Sequence, residues 1–257
     1  MSKRLLLLLL LAFPCRAQIV QQQIVNGVYP VVSSGPIAYV ASSVAGNSQT
    51  AGTATYTVTM GASLSAGNSI VCLATDTTGI NQSNTITDGD SNTYHKDKTI
   101  NLATDADTFG VFHADNIAIA TQNPPQVTAH GTQITVLICA AFSGLPTSSL
   151  DQNASQNTSG SSMTSTASPT LSQANELVIG SLQVAYTAGG TTTLTIGSGF
   201  TSLLIRSKSA ACTSGNTCNT TAIAGMEYQI VSATTGIAGT WTYSASEEYA
   251  AVVTTYE

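Results

Sequence analysis

Basic residues are almost missing from this chain. Seven Lys and Arg stand against thirteen Asp and Glu, and three of the seven, Lys3, Arg4 and Arg16, lie in the first seventeen residues. A surface so poor in cations repels a phosphate backbone, and Lys96, Lys98, Arg206 and Lys208 form no stripe, so nucleic acid is excluded as a partner. Charged residues of both signs make up only 8% of the chain. Solubility must therefore come from Thr, Ser, Asn and Gln, as on extracellular β proteins whose outward strand positions carry hydroxyls. After Leu11 no apolar run approaches the ~18 residues of a span, which excludes a transmembrane helix beyond the leader. There is no Cys-x-x-Cys pair, and His95, His113 and His130 are scattered, so nothing points to zinc. There is also no Gly-x-Ser-x-Gly elbow and no Glu-x-Asp-x-Glu strand, which removes the usual signatures of serine hydrolases and sandwich glucanases. With no catalytic constellation to assign, the chain reads as a non-enzyme.

What is present begins with a leader. Lys3 and Arg4 precede an unbroken leucine run, Leu5 to Leu11, and a short Cys15-Arg16-Ala17 exit. A charged start, an apolar stretch too short to span a bilayer and a small residue at its end predict a secretory signal over 1–17, cut after Ala17. Cys15 lies where a lipoprotein cysteine would sit, but the bulky Phe13 and rigid Pro14 stand where such processing finds small residues. Cleavage leaves four basic residues against thirteen acids, a net charge of −9. The expected location is extracellular or at the cell surface.

From about Pro36 onward, short β-rich runs alternate with Gly, Asn, Ser and Thr turns, and no helical period persists. In Thr53 to Met60 the alternation is complete, with Ala54, Tyr56, Val58 and Met60 on one face and threonines on the other, the pattern of a half-buried antiparallel strand. Ser69 to Ala74, Ile134 to Phe142 and Leu177 to Ile179 are apolar at nearly every position and predict central strands covered on both faces. Further strands are expected at Ile37 to Val44, Thr93 to Ile100, Phe109 to Ala114, Thr191 to Ile196, Phe200 to Lys208, Ile223 to Val231, Gly239 to Ala245 and Tyr249 to Tyr256. This predicts an all-β fold, a two-sheet antiparallel sandwich of jelly-roll type, over residues 33–257, with 18–32 as an N-terminal arm or edge strand. The polar stretch Pro146 to Gln173 interrupts the rhythm and reads as an exposed surface excursion.

An ordered set of motifs adds a resemblance. Phe142-Ser143-Gly144-Leu145, Leu150-Asp151-Gln152 and Gln173-Ala174-Asn175-Glu176-Leu177-Val178-Ile179-Gly180, with Ala66-Gly67-Asn68-Ser69-Ile70-Val71 and the Ile86-Thr87-Asp88 to Asn92-Thr93-Tyr94 hairpin upstream, resemble a recurrent domain of secreted bacterial proteins. The resemblance implies a β-sandwich in an exported or surface protein and brings no catalytic residues.

Four cysteines follow the leader. Cys212 and Cys218 flank a flexible five-residue turn and are expected to pair. Cys72 and Cys139 lie in core strands, where either a cross-strand bridge or two buried thiols fit. Asp88, Asp90 and Asn92 place oxygens at alternate positions, as a calcium loop does, though the stretch also reads as a plain hairpin turn. Ca²⁺ is the one cofactor in view. Ligand-binding candidates are Tyr94, Trp241, Glu227 and Gln229: aromatic rings on which sugar faces stack, and a carboxylate and an amide for hydroxyls. Trp241 and Tyr243 share a strand face opposite Thr240, Thr242 and Ser244, which favours the core for them, and Glu227 reads as a solvated strand position. Two functions are expected from this pattern: a noncatalytic binding module for a glycan or extracellular polymer, or a structural and adhesive component that contacts surface proteins.

Overall fold

The computed structural model describes residues 35–77, 84–103, 107–185, 191–207, 211–212, 217–219 and 223–257, with the side chains of 49–51, 191–192, 211–212, 217–219 and 223 set aside. The leader, the arm at 18–32 and the Cys212–Cys218 bridge lie outside that description. No helix occurs among the described residues. The strands are β1 (Ala38–Tyr39), β2 (Ala45–Thr59), β3 (Ser69–Asp76), β4 (Thr85–Asp88), β5 (His95–Asn101), β6 (Thr108–Ala114), β7 (Gln126–Ser143) and β8 (Leu150–Thr164). They continue as β9 (Glu176–Val184), β10 (Thr191–Ile196), β11 (Thr201–Ser207), β12 (Ala211–Cys212), β13 (Thr217–Asn219), β14 (Ile223–Val231) and β15 (Thr240–Tyr256).

These strands form two antiparallel sheets, as the sequence predicts. One has the order β1-β7-β3-β6-β5, with β2 and β4 also on β7; the other has β12-β11-β14-β9-β15-β10-β13, with β8 on β15. The first half of the chain builds one sheet and the second half the other, so strands do not alternate between layers, and the likeness to a jelly roll lies in the two packed sheets alone. Continuous apolar runs become fully buried central strands: every residue of β3, β6 and β9 is buried. Between the sheets lie Val71, Leu73, Phe109, Val111, Val136, Ile138 and Phe142 from one side and Leu177, Ile179, Met226, Val252 and Tyr256 from the other. The outer face of each sheet carries its own smaller core, one around Cys72, Phe112, Val127 and Leu137, the other around Leu182, Leu194, Trp241 and Tyr249.

Two expectations change. The stretch Pro146 to Gln173 is not a surface excursion: its centre is β8, fifteen residues paired along β15. Both its faces are small and polar, so no alternation marks it, and β15 supplies the register. Likewise Gly239 to Ala245 and Tyr249 to Tyr256 belong to one long strand, β15.

The two halves repeat one another. The pairings β2·β7, β3·β7, β3·β6, β5·β6 and β4·β7 recur as β8·β15, β9·β15, β9·β14, β11·β14 and β10·β15. Fine detail recurs as well. The register slips between Lys96 and Lys98 where β5 meets β6, and between Ser202 and Leu204 where β11 meets β14. Ahead of the central strand, Gly67 and Asn175 both adopt left-handed backbone. The next residue caps the turn in each half: Ser65 N donates to Asn68 Oδ1 at 2.9 Å, and Gln173 N donates to Glu176 Oε1 at 3.0 Å. The amides of Met60 and Ser165 donate to the carbonyls of Pro125 and Gly239, each at 2.9 Å. The two halves thus repeat one topology, and residues in the matched strands have counterparts whose chemistry can be compared.

Candidate functional site

That comparison separates what the fold requires from what one half has added. In register, Val71 faces His113 and Ile179 faces Tyr228, while Ser69 faces Phe142 and Leu177 faces Tyr256. His113 therefore matches Tyr228, Tyr256 matches Phe142, and the bulge residue Asp97 matches Leu203. Aromatic contacts join the sheets on both flanks of the central strands β3 and β9, near the start of each. Phe142 meets Tyr228 with centroids 5.6 Å apart at 65°, and Tyr256 meets His113 at 5.4 Å and 62°. At the Tyr228 end the surroundings are apolar, with Tyr39 stacked at 5.3 Å from Tyr228 and Leu203 in the core. At the His113 end they are ionisable.

There the His113 ring is held on both sides. Nδ1 donates to Asp97 Oδ1 at 2.5 Å and Nε2 lies 3.3 Å from Asp115 Oδ2. Tyr256 donates its hydroxyl to Asp97 Oδ2 at 2.6 Å. Ser149 donates its amide to Asp115 Oδ2 at 2.9 Å and its hydroxyl to Asp115 Oδ1 at 2.7 Å. The His113 side chain is 4% exposed, Asp97 0% and Asp115 7%. Burial pulls the His113 imidazole down, but the hydrogen bonds and charges of Asp115 and Asp97 outweigh it and hold its pKa up at about 9. Burial raises Asp97, offset in part by His113 and Tyr256, whereas for Asp115 the bonds from His113 and Ser149 overcome burial and lower it. Taking such groups out of water is costly unless each is paired, and here each is. The matching Leu203, Tyr228 and Phe142 show that the fold closes without them.

Over this cluster lies a groove of about 340 Å³ whose rim includes Asn92, His95, Asp115, Asn116, Thr147 and Ser148. His95 is exposed, its ring 5.4 Å from that of His113. Five non-glycine residues have left-handed backbone among those described, and three of them, Ser91 (φ 58°), Asn116 (φ 48°) and Ser148 (φ 64°), line this groove. Strained backbone of this kind persists where surrounding structure enforces it and collects at binding sites. Both His113 nitrogens are committed to carboxylates and the Ser149 hydroxyl points at Asp115, so the cluster pairs no nucleophile with a free base.

The residues singled out from sequence are divided by the fold. Asp88 is a turn hub: Oδ1 accepts the amides of Asp90 and Asn92, and Oδ2 accepts Asn92 Nδ2 at 2.8 Å and the Tyr94 hydroxyl at 3.1 Å. Asp90 Oδ1 accepts the amide and hydroxyl of Thr121, each at 2.6 Å, and Asn92 Oδ1 accepts the Ala118 amide. These oxygens face N–H and O–H donors, the hairpin reading, and among the described residues no group of three His, Cys, Asp or Glu converges on a metal position. The turn nevertheless forms one wall of the groove through Asn92. Tyr94 is half-buried on the outer core of the first sheet, and burial beside Asp88 raises its pKa strongly. Trp241 is core, 2% exposed, and offers no ring to a ligand.

Glu227 is not solvated: it is fully buried, with Oε2 accepting the Gly197 amide at 3.2 Å and Oε1 the Thr240 amide at 3.1 Å, and burial lifts its pKa to about 8 despite those two donors. It lies against Gly180, where a Cβ would fall 2.7 Å from Glu227 Oε1 and 3.0 Å from Trp241. Gln229 is half-buried beside Gly199, on the other side of the second sheet from Tyr228. Tyr94 therefore stands apart from Glu227, Gln229 and Trp241, and the four make no common site. Cys72 and Cys139 are opposite one another on β3 and β7 and form a disulfide with Cα atoms 4.1 Å apart.

Sequence reading missed the His113 cluster because its members come from β5, β6, the β7–β8 link and β15. The available signal was the repeat itself, together with one histidine inside an otherwise apolar strand. No family model matches the chain, and no curated protein or solved structure matches it either. The class defined by fold and site is an all-β, internally duplicated two-sheet sandwich with a polar groove at one end.

Proposed function

We propose that this protein is a secreted, noncatalytic binding module that takes a polyhydroxylated ligand, a glycan or glycan-like extracellular polymer, in the groove at the His113 end. The observation that carries the reading is the contrast between the two flanks of a sandwich whose halves repeat one topology. The same slot is closed by Leu, Tyr and Phe on one flank and by a paired Asp-His-Asp cluster with Tyr256, under a groove, on the other. A locked carboxylate, an exposed imidazole and a rim of Asn, Thr and Ser supply the directional acceptors and donors that sugar hydroxyls need. The resemblance to secreted bacterial sandwich domains and the apparent secretory leader support the location.

The test is a glycan and polysaccharide array on the chain from Gln18, followed by calorimetry on the hits. Asn116→Gly with Ser148→Gly keeps the left-handed backbone and removes two rim side chains. Selective binding that this pair weakens at least about tenfold without lowering Tm supports the reading; binding to no glycan by well-folded protein overturns it. The adhesive alternative is favoured by β8, which pairs only with β15 among the described strands and carries a long polar edge. It is supported if light scattering shows concentration-dependent self-association in place of glycan binding.

A further inference from the structure

A second cavity, sharing no lining residue with the end groove, lies where β2 of one sheet passes β11 of the other. It holds about 380 Å³, with Asn47, Thr57, Thr59, Leu204 and Arg206 around it and the β2 backbone at Gly46 forming a wall. Gly46 permits the close approach, since a Cβ there would fall 2.4 Å from Leu204 Cδ2. Arg206 is half-buried in this wall. Its Nε donates to the Gly46 carbonyl at 3.1 Å and its Nη1 to the Ile205 carbonyl at 3.2 Å. A guanidinium carries five N–H donors, and two neutral carbonyls satisfy neither the rest nor the charge. No Asp or Glu among the described residues forms an ion pair with it.

The repeat again shows what the fold needs. In register, Arg206 faces Ala224 as Ile100 faces Phe109, which makes Ile100 the counterpart of Arg206, and Ile100 is an apolar residue packed on the core. A cation at this position is therefore an addition to the fold. It is also a rare one, since Lys96 and Lys98 are the only other Lys or Arg among the described residues.

The geometry points to a binding site for a carboxylate-bearing ligand of the uronic-acid type, in which the free edge of the Arg206 guanidinium takes the carboxylate. A planar fork of N–H donors matches the two oxygens of a carboxylate, and the bonds are strengthened by charge on both sides. The Asn47 amide nitrogen and the Thr59 hydroxyl line the same cavity and suit the neutral groups of the same sugar ring, while Asn47 Oδ1 and the Thr57 hydroxyl already bond the Ser48 amide and Thr128, and the volume is within the range of small-ligand pockets.

The experiment is calorimetric titration of the chain from Gln18 with a galacturonate trimer, with the galactose trimer as the neutral control and inorganic sulfate as a competitor at matched ionic strength. Binding of the acidic trimer but not the neutral one is expected, weakened at least about tenfold by Arg206→Gln and partly retained by Arg206→Lys, which keeps the charge and loses the fork. The Arg206 Nε resonance of the unmodified protein should move on titration, a readout that needs no variant to fold. Equal affinity for both trimers, an unmoved Nε resonance, or displacement by sulfate with the same affinity as the galacturonate trimer would overturn the assignment. Failure of the end groove to bind neutral glycans leaves this result untouched, because the two sites share no residue.

Discussion

If the buried ionic cluster is an addition to a fold that closes without it, the matching positions on the other flank specify how to remove it. Asp97→Leu, His113→Tyr and Tyr256→Phe copy Leu203, Tyr228 and Phe142 into the matching positions, and Asp115→Asn keeps an acceptor for Ser149 while discarding the last charge. Replacing a buried ion triad by apolar residues of similar volume is commonly neutral or stabilising by about 1–4 kcal/mol, whereas removing one partner strands a buried charge and costs about 3–5 kcal/mol. The single change Asp97→Leu, which leaves His113 with one carboxylate and the Tyr256 hydroxyl with none, should therefore lower stability by about 3–5 kcal/mol. The fourfold variant should be at least as stable as the natural chain. For a domain of this size that difference separates the two melting temperatures by about 10 °C or more. Urea denaturation followed by tryptophan fluorescence reads it, since Trp241 is buried in the outer core of the second sheet, away from all four substitutions. The argument fails if the fourfold variant is less stable than Asp97→Leu alone, because the cluster would then be part of what closes the sandwich. A stable fourfold variant that no longer binds at the end groove would assign the cluster to function.

The same buried groups and links set four further outcomes. His113 has its pKa raised from 6.5 to about 9, so its contribution is complete below pH 6.5 and is lost as pH rises through 9; at full weight the shift is worth about 3 kcal/mol, nearer 1–2 once solvent entering by the groove is allowed for, and urea midpoints across pH 6–10 should show a decline that the fourfold variant lacks. The raised Asp97 acts in the same direction at lower pH, and the lowered Asp115 opposes it in acid, losing its contribution as pH falls below the ordinary carboxylate range. Glu227 is an acid with its pKa raised to about 8, so the fold loses stability as pH climbs from about 4.5 to 8 and Glu227→Gln should flatten that part of the profile; an unchanged profile refutes the assignment. Removal of the disulfide, which joins residues 67 apart, should cost about 4 kcal/mol by chain entropy, measured as the stability of Cys72→Ala with Cys139→Ala. EDTA should leave Tm within about 1 °C, since Asp88, Asp90 and Asn92 already hold amide and hydroxyl donors; a rise of several degrees on adding Ca²⁺ would show a site at this turn.

The layers of this protein were readable because they are written in apolar periodicity. Ser69 to Ala74 and Leu177 to Ile179 announce buried central strands by having no polar face, and Thr53 to Met60 announces an outer strand by its alternation. β8 was not readable, since Asn, Gln, Ser and Thr on both faces give the same pattern in a strand and in a loop, and only pairing with β15 decides between them. The same limit hid the site. His113 and Asp97 are sixteen residues apart and Tyr256 lies a further 159 from Asp97. No local spacing rule connects such residues, because register between strands is a tertiary property. Glu227 failed for a related reason: alternation correctly put it on the face opposite Met226 and Tyr228, but could not reveal that Trp241 and the turn at Gly197 cover that face as well.

The duplication turns these separate observations into one argument about cost. Two halves of one topology, packed face to face, place the same folding requirements at matching positions, so a costly group in one half with an apolar counterpart in the other is not required by the pairing scheme. At Cys72 and Cys139 the first half holds a disulfide where the second has Gly180 and Val253, with Glu227 and Trp241 filling the space instead. On one flank of the central strands the two halves meet through an inexpensive contact, Phe142 against Tyr228, and on the other through an expensive one, Tyr256 against a histidine clamped between two buried carboxylates. At the β2 and β11 crossing the second half carries Arg206 where the first has Ile100. Each of the last two places a group that burial disfavours beside an open cavity, and no comparable group occupies the matching position. Apolar residues serve the same positions a half-chain away. Glu227 is buried at comparable cost in the outer core of the second sheet; what sets the His113 cluster and Arg206 apart is that each borders a cavity, where the proposed ligands would use the group.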